Sequence, residues 1–201
     1  MSAEEIMDSE DFRKCVEFHG HLCPGLSMGF RAAKTAMERL NALRSEDEEI
    51  VAIVETDACC ADAIQVLTGC TFGKGNFIYK DHGKVAVTLL SRNTGEGVRV
   101  VLKPDAFKPD PAHMALIQKI TSGTADENDR KAFDGLHLKR TGDVLTLPEE
   151  KLFTVQKVNV ELPARAQIAP SVPCDFCREG VMGTKLQKKN GKNLCRACAG
   201  G

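Results

Sequence analysis

The sequence contains no stretch approaching the roughly 18 continuous apolar residues that a helical membrane span requires. Its first residues, MSAEEIMDSEDFRKC, are acidic and polar. They lack the basic-then-apolar order of a secretory signal, so a cytoplasmic location is expected. Charge of one sign is not in excess either: 27 Lys and Arg face 28 Asp and Glu, for a net charge of −1. That balance argues against wholesale binding to nucleic acid or an anionic membrane. There is no internal repeat and no low-complexity tract, and the stretch between Cys70 and Cys174 has no cysteine. What is present is a chain of 201 residues, 42% apolar, with a mean hydropathy of −0.22. Such a chain suits one full domain plus a small module.

The periodicities predict a mixed first domain over residues 1–165. Ser9 heads a helix through Phe18, and Pro24 opens a longer amphipathic helix carrying Leu26, Phe30, Ala33, Met37 and Leu40 at three- and four-residue spacing. Ile50–Glu55 (IVAIVE) reads as a strand by its length, and Ala61–Leu67 returns to helical spacing. Val85–Arg92 and Val98–Lys103 alternate around the Gly-rich break 93–97, which is a hairpin signal. Phe77–Lys80 reads as a further strand, and Ala112–Thr121 and Asp126–Arg140 as polar helices. Leu152–Glu161 is the expected last strand. Helices and antiparallel strands in runs make the expected class α+β. Pro163–Pro173, with three prolines, reads as a linker to a module over residues 166–201.

In that module Cys174 and Cys177 are followed, after 17 residues, by Cys195 and Cys198. A two-residue gap lets a tight knuckle aim two sulfurs at one ion, and two such pairs complete a tetrahedron. A structural zinc is expected there, with iron in a rubredoxin-like site as the chemical alternative. So few residues cannot bury enough apolar surface to fold alone. Asn190-Gly191 favours a two-residue hairpin turn that returns the second pair to the first. The module carries six basic residues against two acidic ones from Cys174 onward. Four thiolates on a divalent ion offset part of that excess, so nucleic-acid binding is not expected.

Five further cysteines lie in the first 70 residues. Phe18–Gly25 (FHGHLCPG) places His19, His21 and Cys23 within five residues, just ahead of a helix N-terminus. On an extended segment those alternate residues share one face, and the helix end favours a thiolate at Cys23. A second cluster, Glu55–Asp62 (ETDACCAD), sits where a strand gives way to a helix. Adjacent cysteines cannot easily bind one ion together, so one of Cys59 and Cys60 is expected to face the core. Cys15 and Cys70 read as small buried hydrophobes. Gly69–Asn76 (GCTFGKGN) approaches the phosphate-binding P-loop, but Gly75 stands where a hydroxyl is needed. The expected core site is His21, Cys23 and Cys59, with His19, for a transition metal or a metal-bearing small molecule. Mixed nitrogen and sulfur ligands suit zinc, copper, iron or nickel.

FHGHLCPG, the segment 59–76 (CCADAIQVLTGCTFGKGN) and Asp81–Lys84 (DHGK) together resemble the FmdE family, named for the E component of formylmethanofuran dehydrogenase. The resemblance covers most of the first 165 residues, and a C-terminal zinc finger in some members matches the tail. It implies an α+β core, a homodimer, a site built from the His and Cys motifs, and association with a molybdenum or tungsten enzyme that reduces carbon dioxide onto methanofuran. A methanogenesis-related role follows from that association. No molybdopterin or iron–sulfur ligand pattern is visible, so the chain is not expected to perform that redox step alone. The family finger is treble-clef-like. Only three residues follow Cys198 here, and a ribbon-like pair of knuckles is expected instead. Three functions are open at this point. One is a metal-binding accessory protein. Another is an enzyme with Cys59 or Cys23 as nucleophile and His19 as base. The third is a zinc-finger interaction adaptor.

Overall fold

A computed structural model of the chain describes residues 1–200. It divides into two compact units, Met1–Ala164 and a second beginning at Arg165.

In the first unit the order is α1 (Ala3–Met7), α2 (Glu10–His19), α3 (Pro24–Leu40), β1 (Ile50–Val54), α4 (Cys60–Thr68), β2 (Phe77–Tyr79), β3 (Ala86–Ser91), β4 (Gly97–Leu102), α5 (Pro111–Thr121), α6 (Glu127–Thr146), α7 (Glu149–Leu152) and β5 (Phe153–Val158). Five strands form one sheet in the order β2-β1-β3-β4-β5. Three of its four pairings are antiparallel, and β1–β2 alone is parallel because α4 carries the chain across between them. The α+β expectation therefore holds. The chain adds α1, capped by a reciprocal Ser2–Glu5 box, and it runs α6 six residues past Arg140, to Thr146.

The main core lies where α2, α3 and α4 meet one sheet face, with Phe12, Leu26, Ile64, Val87, Leu89 and Val100 buried together. Phe12 meets Phe30 edge-on at 5.0 Å. A smaller cluster of Val51, Ile53 and Leu90 occupies the other face. Helix α3 packs so closely on α4 that a Cβ at Gly29 would sit 2.2 Å from the carbonyl oxygen of Cys60. Only glycine permits that approach. It brings the N-termini of the two helices side by side.

The second unit contains β6 (Ser171–Pro173), β7 (Gly180–Met182), β8 (Gln187–Lys189), β9 (Lys192–Leu194) and α8 (Arg196–Ala199). Its strands pair as two short antiparallel hairpins, β6–β7 and β8–β9. Asn190 and Gly191 both take positive φ, 51° and 76°, as a tight primed turn between β8 and β9 requires. Two boundaries differ from the sequence reading. The last residues of the proposed linker, Ser171–Pro173, pair as β6. At its start, the carbonyls of Pro163 and Ala164 accept from the Arg92 guanidinium in the first unit. Among the described residues no helix is long and apolar enough to cross a membrane.

Candidate metal centres

The core motif is not an extended segment. Helix α2 ends on His19, and Gly20 closes it in the left-handed conformation with φ of 90°. The chain turns through His21 and Leu22, and Cys23 then caps α3, its Sγ accepting from the Leu26 amide at 3.2 Å. Residues 19, 21 and 23 thus meet through a helix end, a turn and a helix start, and not through strand alternation. Their ligand atoms all lie within 4.8 Å of one another. His19 Nε2 is 3.8 Å from Cys23 Sγ, and the two imidazole centroids are 4.4 Å apart. Cys23 is buried, His19 partly so, and His21 exposed.

Cys59 arrives from the far side. It stands at the N-cap of α4, against the first turn of α3. A Cβ built on Gly25 would lie 3.6 Å from Cys59 Sγ and 3.9 Å from Cys23 Sγ. The two cap cysteines therefore flank one glycine. Cys60 faces the core, and burial pushes its thiol up to about 12. Cys15 and Cys70 are fully buried; burial raises both thiols, Cys15 to about 12. The expected thiolate at Cys23 is not supported. Desolvation, with Cys59 beside it, pushes the Cys23 thiol up to about 11 despite the Leu26 amide. Burial outweighs the helix end, and a cation is what would draw the proton off.

Three functional neighbours escaped the sequence reading as site residues. Asp62 Oδ2 accepts from His19 Nδ1 at 2.7 Å across the α2–α4 seam. His137, on α6, hydrogen-bonds the backbone of Leu22 inside the motif loop. His113, on α5, places its Nε2 2.9 Å from His137 Nδ1. Desolvation is the first cause that lowers the pKa of both imidazoles. The chain has only five histidines, and four of them gather around this loop; their scarcity was the available signal. The Gly-rich segment 69–76 folds as a turn held by Asn76 and Thr71. Its Lys74 ammonium donates to the carbonyls of Ser45 and Glu46.

In the second unit the sulfurs of Cys174, Cys177, Cys195 and Cys198 also lie within 4.8 Å of one another. Bonds of about 2.3 Å to zinc place tetrahedral sulfurs about 3.8 Å apart, and Cys177 Sγ is 3.9 Å from Cys195 Sγ. The first pair forms the expected knuckle between β6 and β7. The second does not: Cys195 caps α8 through the Cys198 amide, and Cys198 sits on that one-turn helix. That helix is a single turn, Arg196–Ala199, and the ribbon-like expectation for the module stands. The Cys195 amide donates to Cys174 Sγ at 3.3 Å and holds that thiol down at about 6. Cys198, facing Cys195, is pushed up to about 12. Four thiols so crowded cannot all ionise without a cation among them.

The chain is similar to known proteins over most of its length. The family model for FmdE, described by its place in the molybdenum formylmethanofuran dehydrogenase operon, matches residues 18–154. A protein of Archaeoglobus fulgidus described as a probable S-adenosyl-L-methionine-binding protein is 37% identical over 191 residues, 92% of this chain and 51% of its own length. The chain thus spans about half the length of that curated relative. The crystal structure of a tungsten formylmethanofuran dehydrogenase FmdE-like protein from Syntrophus aciditrophicus superposes with a TM-score of 0.58 at 27% identity, over 100% of this chain and 93% of that one. The matched segment begins at Phe18, at the head of the histidine–cysteine loop, and runs through the sheet to β5: the chain belongs to the FmdE family.

Proposed function

We propose that the protein is a metal-binding accessory protein with two centres of different purpose. The core centre uses His19, His21 and Cys23, with Cys59 alongside, to hold a transition metal or a metal-bearing small molecule. The tail centre is a structural zinc on Cys174, Cys177, Cys195 and Cys198. The observation that carries the reading is the convergence of two imidazoles and a buried thiol within 4.8 Å at a helix junction. Three protein ligands leave a position open on a tetrahedral ion, the usual mark of a site that meets a ligand. A closed set of four thiolates leaves none, the usual mark of a structural site. A metal in the core would lend Lewis acidity to whatever entered the open position. The protein's own groups orient the ion and keep one side of it dry.

The Cys-nucleophile reading is weaker for Cys23 on these observations. A nucleophilic thiol needs a depressed pKa, and burial moves Cys23 the other way. The name of the Archaeoglobus relative favours one specific cargo, S-adenosyl-L-methionine, as a ligand to be tried beside the metals. A partner role beside a molybdenum or tungsten enzyme, and self-association as a homodimer, belong to the same reading through the family. Light scattering at micromolar concentration should give about twice the chain mass of 21.9 kDa.

Elemental analysis of the full chain tests the reading directly. Loaded wild type should hold two metals per chain, and His21→Ala combined with Cys23→Ala should hold one. Saturation of wild type at one ion across zinc, nickel, copper and ferrous iron would remove the core centre and leave the adaptor.

A further inference from the structure

Metal-ligating imidazoles need their second nitrogen held. A free ring rotates and divides its proton between two tautomers, only one of which offers the correct lone pair. In the core centre one ring is held and the other is not. His19 is only 11% exposed at its side chain, and its Nδ1 lies 2.7 Å from Asp62 Oδ2. A carboxylate accepts and does not donate, so Nδ1 carries the proton. That leaves the Nε2 lone pair on the side of Cys23 Sγ, 3.8 Å away. Exposed His21 has no hydrogen-bond partner for its ring among the described residues; its neighbour is the His19 ring itself.

Asp62 lies in the first turn of α4, three residues past Cys59. A carboxylate at that helical position commonly reaches back to its own N-cap backbone. Here it crosses to another helix and takes the histidine. The same short turn of α4 therefore delivers Cys59 toward the site and Asp62 behind it.

We infer that Asp62 is the positioning residue of the core centre: it fixes His19 as the Nδ1–H tautomer and aims Nε2 at the space beside Cys23. The inference deepens the metal-centre reading, but its tautomer part stands without any metal. Asp62 acts only through His19 and contributes no atom to the ion.

The test uses the full chain with the tail ion in place and two readouts. Imidazole nitrogen-15 shifts of protein with an empty core centre report the His19 tautomer. A titration with cobalt(II), followed in the visible spectrum, reports affinity for the second ion. Wild type should show protonated Nδ1 and bare Nε2. In D62A the proton should redistribute toward Nε2, and second-ion affinity should fall by about 10- to 100-fold with the first unchanged. D62N keeps an oxygen acceptor for Nδ1–H. It should retain the tautomer, lose less affinity, and serve as the folded variant should D62A unfold. A purely structural bond between α2 and α4 would lower stability in both variants without moving the proton. Wild-type His19 protonated on Nε2, or D62A binding the second ion as tightly as wild type, overturns the inference. If wild type takes up only one ion, the metal reading falls, and the His19 tautomer in wild type and D62A alone decides the role of Asp62.

Discussion

The two cysteine-bearing centres are built in opposite ways. In the tail, among described residues from Arg165 onward, only Cys174 and Ala199 are buried. The hairpins there are three residues per strand and enclose almost no apolar volume. The core centre is backed by Phe12, Leu26, Ile64 and their neighbours, all near complete burial. Its ligands hang from helix ends that would exist without them. On the proposed reading the tail is a fold made by its ligand set, and the core centre is a ligand set added to a fold. Spacing motifs in a sequence say that an ion is held. They do not say whether the protein needs the ion or the ion needs the protein.

That contrast can be broken by experiment, and the largest effect belongs to the tail. Structural zinc sites in small modules contribute on the order of 10 kcal/mol of binding free energy to folding. Cys177→Ser, or a strong chelator, should erase hydrogen-exchange protection from β6 to α8 and leave Met1–Ala164 protected. A tail that stays protected without metal would end the distinction. The reciprocal experiment attacks the frame. Gly29→Ala drives a Cβ to within 2.2 Å of main-chain oxygen that has no rotamer to yield. It should cost about 3 kcal/mol or more in denaturant unfolding of the first unit, with tail metal content unchanged.

A smaller effect is expected at Glu55, buried at the end of β1. Arg99 grips both its oxygens at 2.7 and 3.0 Å, and His82 approaches at 3.3 Å. Arg99 first, and then His82, hold the carboxyl below the ordinary range against the opposing effect of burial. A depressed carboxyl stabilises the fold above its unfolded value of about 4.3. That contribution is lost as pH falls through the folded value. Glu55→Gln should therefore cost about 2 kcal/mol at neutral pH, and the gap to wild type should close in acid. A gap that persists unchanged at pH 3 would show packing and not charge. The smallest effect should come from Cys59, beside the candidate core centre. Cys59→Ser should change first-unit stability by less than about 1 kcal/mol. In wild type, Cys59 should alkylate roughly tenfold or more faster than Cys60, whose thiolate burial suppresses.

The sequence made the local elements legible for local reasons. Ser9 and Pro24 mark true helix starts, the break at 93–97 is a true hairpin, and Asn190-Gly191 turns as its dihedrals demand. The four tail ligands were readable because each pair is spaced along the chain itself. Asp62 was not readable as a partner of His19, 43 residues away, because nothing local distinguishes a capping carboxylate from one that crosses to another helix. His113 and His137 were hidden in helices with little amphipathic signal, and their meeting depends on how α5 folds onto α6. At Cys23 two correct local principles conflicted, helix-end charge and burial, and only the packed structure decides between them.

The close approach at Gly29 makes the α3–α4 junction rigid. Gly25 and Gly29 are one helical turn apart and face Cys59 and Cys60, so the gap between the two cap cysteines is set by main chain resting on main chain. A side chain can swing to meet a larger or smaller guest; a peptide plane in contact with another cannot. The span between Cys23 and Cys59 is thereby fixed by backbone contact, and an ion shared by the two thiols would meet a distance that no rotamer adjusts.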